Sequence, residues 1–186
     1  MKRSTFPIPW KDALEGCKLA IENAERLAYD SEVLMKNDRL ECAFHLSLSA
    51  QEEFGKAVWL FRHWKERQDL KENQWFEILR NHRMKRIAYS EDSDILYPKS
   101  GPPKDMKEVF ENMKKASEKM GKYFDFERQM ALYVDWVGEW RSPTKIDREL
   151  FEFPFDPNFW ISNVRLSAFH LSNLISESAK EQSSNL

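Results

Sequence analysis

The pattern of apolar positions along the chain predicts an all-α protein. From residue 11 to about residue 36, Ala13, Cys17, Ala20, Ile21, Ala24, Leu27, Ala28 and Leu34 recur at spacings of three and four. Glu15, Lys18, Glu22, Glu25 and Arg26 take the opposite side, which makes this an amphipathic helix. A corner at Asn37-Asp38 follows, and either residue suits the N-cap of a second helix. That helix continues past Trp64 without a proline. At ~100° per residue, Leu40, Ala43, Phe44, Leu46, Ala50, Phe54, Ala57, Val58, Phe61 and Trp64 cover well over half of its circumference. A helix so apolar has to be surrounded by others, so it is predicted to be the central post of the domain.

Further along, Asp69 and Glu72 resemble a capping box for a third helix running to about Ser90, with Trp75, Ile78, Leu79, His82, Lys85 and Tyr89 on one face. Residues 91–104 read as a charged, then proline- and glycine-rich loop. Asp105 with Glu108 caps a fourth helix to about Leu132. The stretch 133–157 breaks the pattern and is expected to be an irregular proline-rich flap or short strands. Asp156-Pro157 opens a last helix through Ile175, after which the polar tail from about Ser176 is expected to fray. The predicted architecture is a single domain over 1–186, an up-and-down bundle of four to five helices with a lead-in at 1–10.

Charge narrows the choice of partners. The 29 basic and 31 acidic residues nearly cancel, so no global field draws the chain to nucleic acid or to a membrane surface. No run approaches the ~20 apolar residues of a membrane span, and the amino terminus lacks the apolar core of a signal peptide; a cytoplasmic protein without a membrane partner is expected. Cys17 and Cys42 fall on predicted helices without a CxxC spacing and read as reduced packing residues. Seven tryptophans and thirteen phenylalanines predict a tightly filled interior and some apolar surface for a second subunit, hence a homodimer.

The chemistry-bearing residues start on the central helix. On the wheel, Glu53 lies within the apolar arc beside Leu46, Ala50, Ala57 and Leu60, whereas Glu52 and Lys56 share a narrow polar sector with His45, Ser49 and a solvated His63. An unpaired buried charge costs several kcal/mol, so Glu53 needs a partner. The basic run from Arg80 to Arg86 offers His82 and Lys85. Histidine suits proton transfer and lysine suits a developing negative charge, so Glu52, Glu53, Lys56, His82 and Lys85 together could carry acid–base chemistry. The same five residues fit a buried polar clasp that only holds two helices in register. A ferritin-like metal bundle would need Glu-x-x-His on two helices. The residues three before His45, His63, His82 and His170 are Cys42, Leu60, Leu79 and Ser167, so no metal site is expected. No phosphate-cradling glycine loop or dinucleotide fingerprint is present, and no cofactor is expected.

Several short motifs in order carry a family resemblance. Ala50, Glu52, Glu53, Gly55, Lys56 and Ala57, then His82 and Lys85, then Tyr133-Val134-Asp135, then Ser142-Pro143, resemble the AbiV abortive-infection proteins of the HEPN superfamily. Gln51 stands where that pattern carries an apolar residue. The resemblance spans roughly residues 11 to 145. It implies a helical HEPN fold, usually dimeric, in a phage-defence protein that blocks translation or cleaves RNA, with ribonuclease-like toxicity as the commonest activity of the superfamily. Glu52, Glu53, Lys56, His82 and Lys85 can support metal-independent RNA cleavage. RNA and a phage-encoded activator protein are then the candidate partners. The rival reading is a non-catalytic helical dimer that binds a phage or translation partner protein.

The superfamily's ribonuclease motif, an arginine, four to six intervening residues and then a histidine, fits Arg165–His170 in the last helix. It also fits Arg39–His45, which reads as a chance match. Leu166 replaces the polar residue that usually follows the arginine. Five residues subtend ~140° on a helix, so Arg165 and His170 can converge only across a dimer axis or through a distorted turn.

Overall fold

The computed structural model describes residues 6–82, 85, 135–136, 140–141 and 157–184. The described helices are α1 (Trp10–Lys36), α2 (Leu40–Glu66), α3 (Glu72–Arg80) and α4 (Pro157–Ser184). A short antiparallel pair, β1 (Asp135–Trp136) with β2 (Trp140–Arg141), sets Asp135 opposite Arg141 and Trp136 opposite Trp140. These four residues are the described part of the predicted flap. The predicted 91–104 loop and the predicted fourth helix lie outside the described residues.

The fold is all-α, built on the hairpin of α1 and α2. Ala13, Cys17, Ala20, Ile21, Ala24 and Ala28 are all buried on α1. Their small side chains let the two long helices run close together over their length, and α4 packs on both. From α4, Ile161, Val164, Ala168, Leu171 and Ile175 complete the core around Leu48, Phe54, Val58 and Phe61 of α2. Phe54 and Phe61 are fully enclosed, and truncating either to alanine would cost about 3–5 kcal/mol.

The hairpin corner differs from its sequence expectation. Asn37 closes α1 instead of opening α2: its side-chain amide donates to the Val33 carbonyl at 2.7 Å, and its backbone N–H turns back to the Leu34 carbonyl. Asp38 takes a left-handed backbone (φ 59°), and Arg39 is the residue that precedes α2. Ser31 ties the two helices from inside, donating to the Ala43 carbonyl at 2.6 Å.

The start of α3 also uses other residues than expected. Gln74 Oε1 accepts from the Lys71 backbone N–H at 3.0 Å and closes the first turn. Asp69 instead accepts from the Trp10 backbone N–H at 2.9 Å, and Ile8 and Leu70 exchange two backbone hydrogen bonds of 2.9 Å. The lead-in is thereby pinned to the segment before α3. At its other end α3 stops early, because Asn81 (φ −97°, ψ 89°) leaves helical geometry well before the predicted end near Ser90. His82 and Lys85 lie beyond this break, in helical conformation again. At the far end of the chain, α4 continues to Ser184, past the point near Ser176 where polar composition predicts fraying. No helix among the described residues is long and apolar enough to cross a membrane.

Candidate functional site

The turn after Asn81 brings two basic side chains onto one buried carboxylate of α2. Glu52 Oε2 lies 2.6 Å from His82 Nδ1 and 3.6 Å from Lys85 Nζ. The Glu52 and Lys85 side chains are only 5% and 8% exposed, whereas His82 is 34% exposed. Burial alone would favour a protonated acid, and the ammonium beside it favours the carboxylate. An ionised carboxylate only accepts hydrogen bonds, so with Glu52 ionised the bond is made by an Nδ1–H of His82 donating to it. In the neutral ring the basic lone pair is then on Nε2. An acid thus orients an imidazole that keeps one edge towards solvent, an arrangement able to move a proton.

The acid that receives His82 and Lys85 is not the expected one. Glu53 is partly exposed and pairs within its own helix, with Lys56 Nζ at 2.6–2.7 Å. The wheel placed Glu53 in the apolar arc because Leu46 and Ala50 flank it. In the fold, Cys42, Leu46, Ser49, Glu53 and Lys56 form the least covered strip of α2, while Glu52 on the next flank is buried. A helix apolar nearly all round offers too little contrast for the wheel to choose between adjacent carboxylates. The choice falls to whichever neighbour covers each flank. Lys56 lies one turn beyond Glu52, on the same side of α2.

His63 is also placed differently. It was expected in solvent, yet it is buried against Trp59, ring centroids 4.3 Å apart, and its Nδ1 has no hydrogen-bond partner among the described residues. Gln51, the departure from the apolar pattern, is buried as well, with Nε2 unpaired among the described residues. No three histidine, cysteine, aspartate or glutamate side chains among the described residues are grouped so as to hold a metal ion.

Arg165 and His170 occupy other surroundings. Arg165 is half exposed, and its Nη2 donates to Glu32 Oε2 on α1 at 2.6 Å. Lys36 holds the same carboxylate at 2.7 Å. The Lys36 and Arg165 hydrogen bonds lower the Glu32 pKa below its ordinary 4.5. His170 meets the neighbouring Phe169 ring edge-on, centroids 5.7 Å apart. α4 runs unbroken through both residues, so the distorted turn that could have joined them within one chain is not there. Of the two cysteines, Cys17 is fully enclosed, and burial pushes its thiol up to about 12.

Gly55 is a site residue that periodicity did not single out. A Cβ built on it would fall inside the contact radius of the Lys85 carbonyl oxygen and 2.7 Å from the carbonyl carbon. The signal available in the sequence was the glycine itself, in the interior of an otherwise strong helix, where it costs about 1 kcal/mol relative to alanine.

Comparison with known proteins places the chain in a family. The HEPN family described as AbiV matches residues 12–153, well over half of the chain. The match contains Glu52, Gly55, His82 and Lys85 and ends before Arg165 and His170. Neither the curated proteins nor the solved structures offer a match. With its all-helical fold and its match along most of its length, the chain belongs to the AbiV family of HEPN-superfamily proteins, an abortive-infection family.

Proposed function

We propose that this protein is an antiphage effector which, once triggered, stops translation by cleaving RNA without a metal ion, with His82 as the proton-transfer group. The observation that carries this reading is the Glu52–His82–Lys85 cluster: an enclosed acid donating orientation and charge to an imidazole with an exposed edge. In the step envisaged, His82 Nε2 takes the proton of a ribose 2′-hydroxyl as that oxygen bonds to phosphorus. The phosphorus–5′-oxygen bond breaks, and the proton is returned to the leaving 5′-oxygen. The products are a 2′,3′-cyclic phosphate and a 5′-hydroxyl. Lys85 is too enclosed to meet the phosphorane itself; it keeps Glu52 ionised, and Lys56 on the adjoining turn is the better placed cation. A phage-encoded protein is the candidate trigger.

Purified protein incubated with total RNA, with and without lysate of phage-infected cells to supply the trigger, tests this reading. Cleavage by the parent, lost in His82→Ala with a cooperative melt retained, is the expected result. Cleavage unchanged in His82→Ala overturns it.

The second reading is a homodimer that captures a phage or translation protein without turnover. Exposed Tyr29 and Val33 of α1 and Leu166 and Phe169 of α4 support it, since they flank the seam bridged by Glu32 and Arg165. A dimer axis near that seam would also be the way for Arg165 of one subunit to approach His170 of the other. Intact RNA beside a stable dimer with a co-purifying partner would favour it.

A further inference from the structure

We infer that Gly55 is a positioning residue for the proposed site: its missing side chain sets how deeply the turn carrying His82 and Lys85 seats on α2, and hence whether Glu52 can reach His82. The inference rests on the reading of Glu52–His82 as the working pair. Two three-residue steps meet here, Glu52 to Gly55 on α2 and His82 to Lys85 on the turn. The first member of each joins through side chains at 2.6 Å. The second members meet through backbone, because the Lys85 carbonyl rests where a Gly55 Cβ would be. That Cβ would also come 3.2 Å from Lys85 Cα, so the obstruction is main chain on both atoms and no rotamer change relieves it.

The consequence is a matter of reach. A carboxylate at 2.6 Å has almost no slack, and a hydrogen bond weakens steeply once its partners separate beyond about 3.2 Å. Any retreat of the turn large enough to admit a methyl group takes His82 out of range of Glu52. Lys85, already at 3.6 Å from the same oxygen, recedes with it. Gly16 of α1 is the natural control, because a Cβ there would meet only the Leu60 Cδ1 methyl, at 3.3 Å, a side-chain tip that can turn aside.

The test is spectroscopic. The parent should show a downfield imidazole Nδ1–H resonance, assigned to His82 by its loss in His82→Gln. Gly16→Ala is expected to keep this resonance. Gly55→Ala is expected to lose it while retaining a cooperative melt at lowered temperature. Glu52→Asp, which withdraws the carboxylate by one methylene and adds no atom, should lose it in a chain that still melts cooperatively. A folded Gly55→Ala that keeps the resonance overturns the inference. So does Glu52→Asp keeping it, because reach would not then be limiting. A Gly55→Ala chain without a cooperative melt overturns it too, since the contact would be holding the fold and not the site. RNA cleavage read alongside, with lysate of phage-infected cells supplying the trigger, separates the two ideas: a parent with the resonance but no cleavage there refutes the catalytic reading and leaves Gly55 in its positioning role.

Discussion

Among the described residues Glu32 and Glu52 each face two basic groups, and the two clusters differ chiefly in how far they are enclosed. Glu32 on α1 takes Lys36 and Arg165 at 2.7 and 2.6 Å at the surface, its own side chain 29% exposed. Glu52 on α2 takes His82 at 2.6 Å and Lys85 at 3.6 Å under cover. By distance the surface cluster is the tighter one. By consequence the order reverses, because water reaches Glu32 and can take the place of either partner, while Glu52 and Lys85 are enclosed and water cannot readily take the place of either. Ion-pair length is therefore a poor guide to importance here, and enclosure a good one. The same contrast explains why only the second cluster is a chemical candidate. An acid that cannot relax into solvent holds its imidazole in one orientation.

The largest break of this comparison is Glu52→Ala, which removes an enclosed carboxylate from beside both His82 and the enclosed Lys85 ammonium. It is expected to lower unfolding free energy by about 3–5 kcal/mol, measured by urea denaturation. The matching Glu32→Ala should leave the urea midpoint nearly unchanged. Equal losses in the two variants would refute the argument from enclosure.

His82→Ala sharpens the comparison, because it removes a partner that is already one-third in solvent. A loss of about 1–2 kcal/mol is expected from the vanished charged hydrogen bond, well short of the Glu52→Ala loss. Stability equal to that of Glu52→Ala would mean that His82 is structural and not poised for chemistry.

Cys17 extends the contrast to a neutral group. Its folded pKa stands above the ordinary 9.0, at about 12, so the folded state holds the proton more tightly than the unfolded one. Its contribution to stability is therefore complete below pH 9 and is lost as the pH rises through that interval. At pH 8, iodoacetamide should modify Cys42, which is partly exposed, and spare Cys17 until urea unfolds the chain. Native-state labelling of Cys17 would contradict its enclosure.

The smallest effect belongs to the surface cluster. The Glu32 pKa is lowered, so its contribution is present above the ordinary 4.5 and disappears as the pH falls through the lower folded value. Comparing the parent with Glu32→Gln in low salt, a small stability difference at pH 7 should vanish in acid and should also shrink in high salt. A difference that grows in acid would reverse the assigned sign.

Much of the scaffold was legible from periodicity. The α1 stripe from Ala13 to Ala28 faces the core as its spacing requires, Pro157 opens α4, and Trp75, Ile78, His82 and Lys85 follow the predicted face across the break at Asn81. That the basic run after α3 would meet an acid of α2 was legible too, since a carboxylate on so apolar a helix needs a partner. Which acid it would be was not. Glu52 and Glu53 are separated by one step of the helix and by no difference in side chain. Caps were equally ambiguous: Asn37 and Asp69 have the right chemistry for the roles expected of them, and the fold uses that chemistry on the Val33 carbonyl and the Trp10 amide instead.

By itself, then, the order of residues determined four things: that the chain is helical, which stripes are apolar, that α2 is the interior post, and which family motifs stand on it. Those properties are local, because they follow from spacing along one helix. The partner of Glu52, the seating of Lys85 on Gly55, the burial of His63 and the capture of Arg165 by Glu32 were decided only in the tertiary structure. Each depends on which neighbouring element covers a given flank and how closely it approaches, and a helix's own sequence does not carry that information.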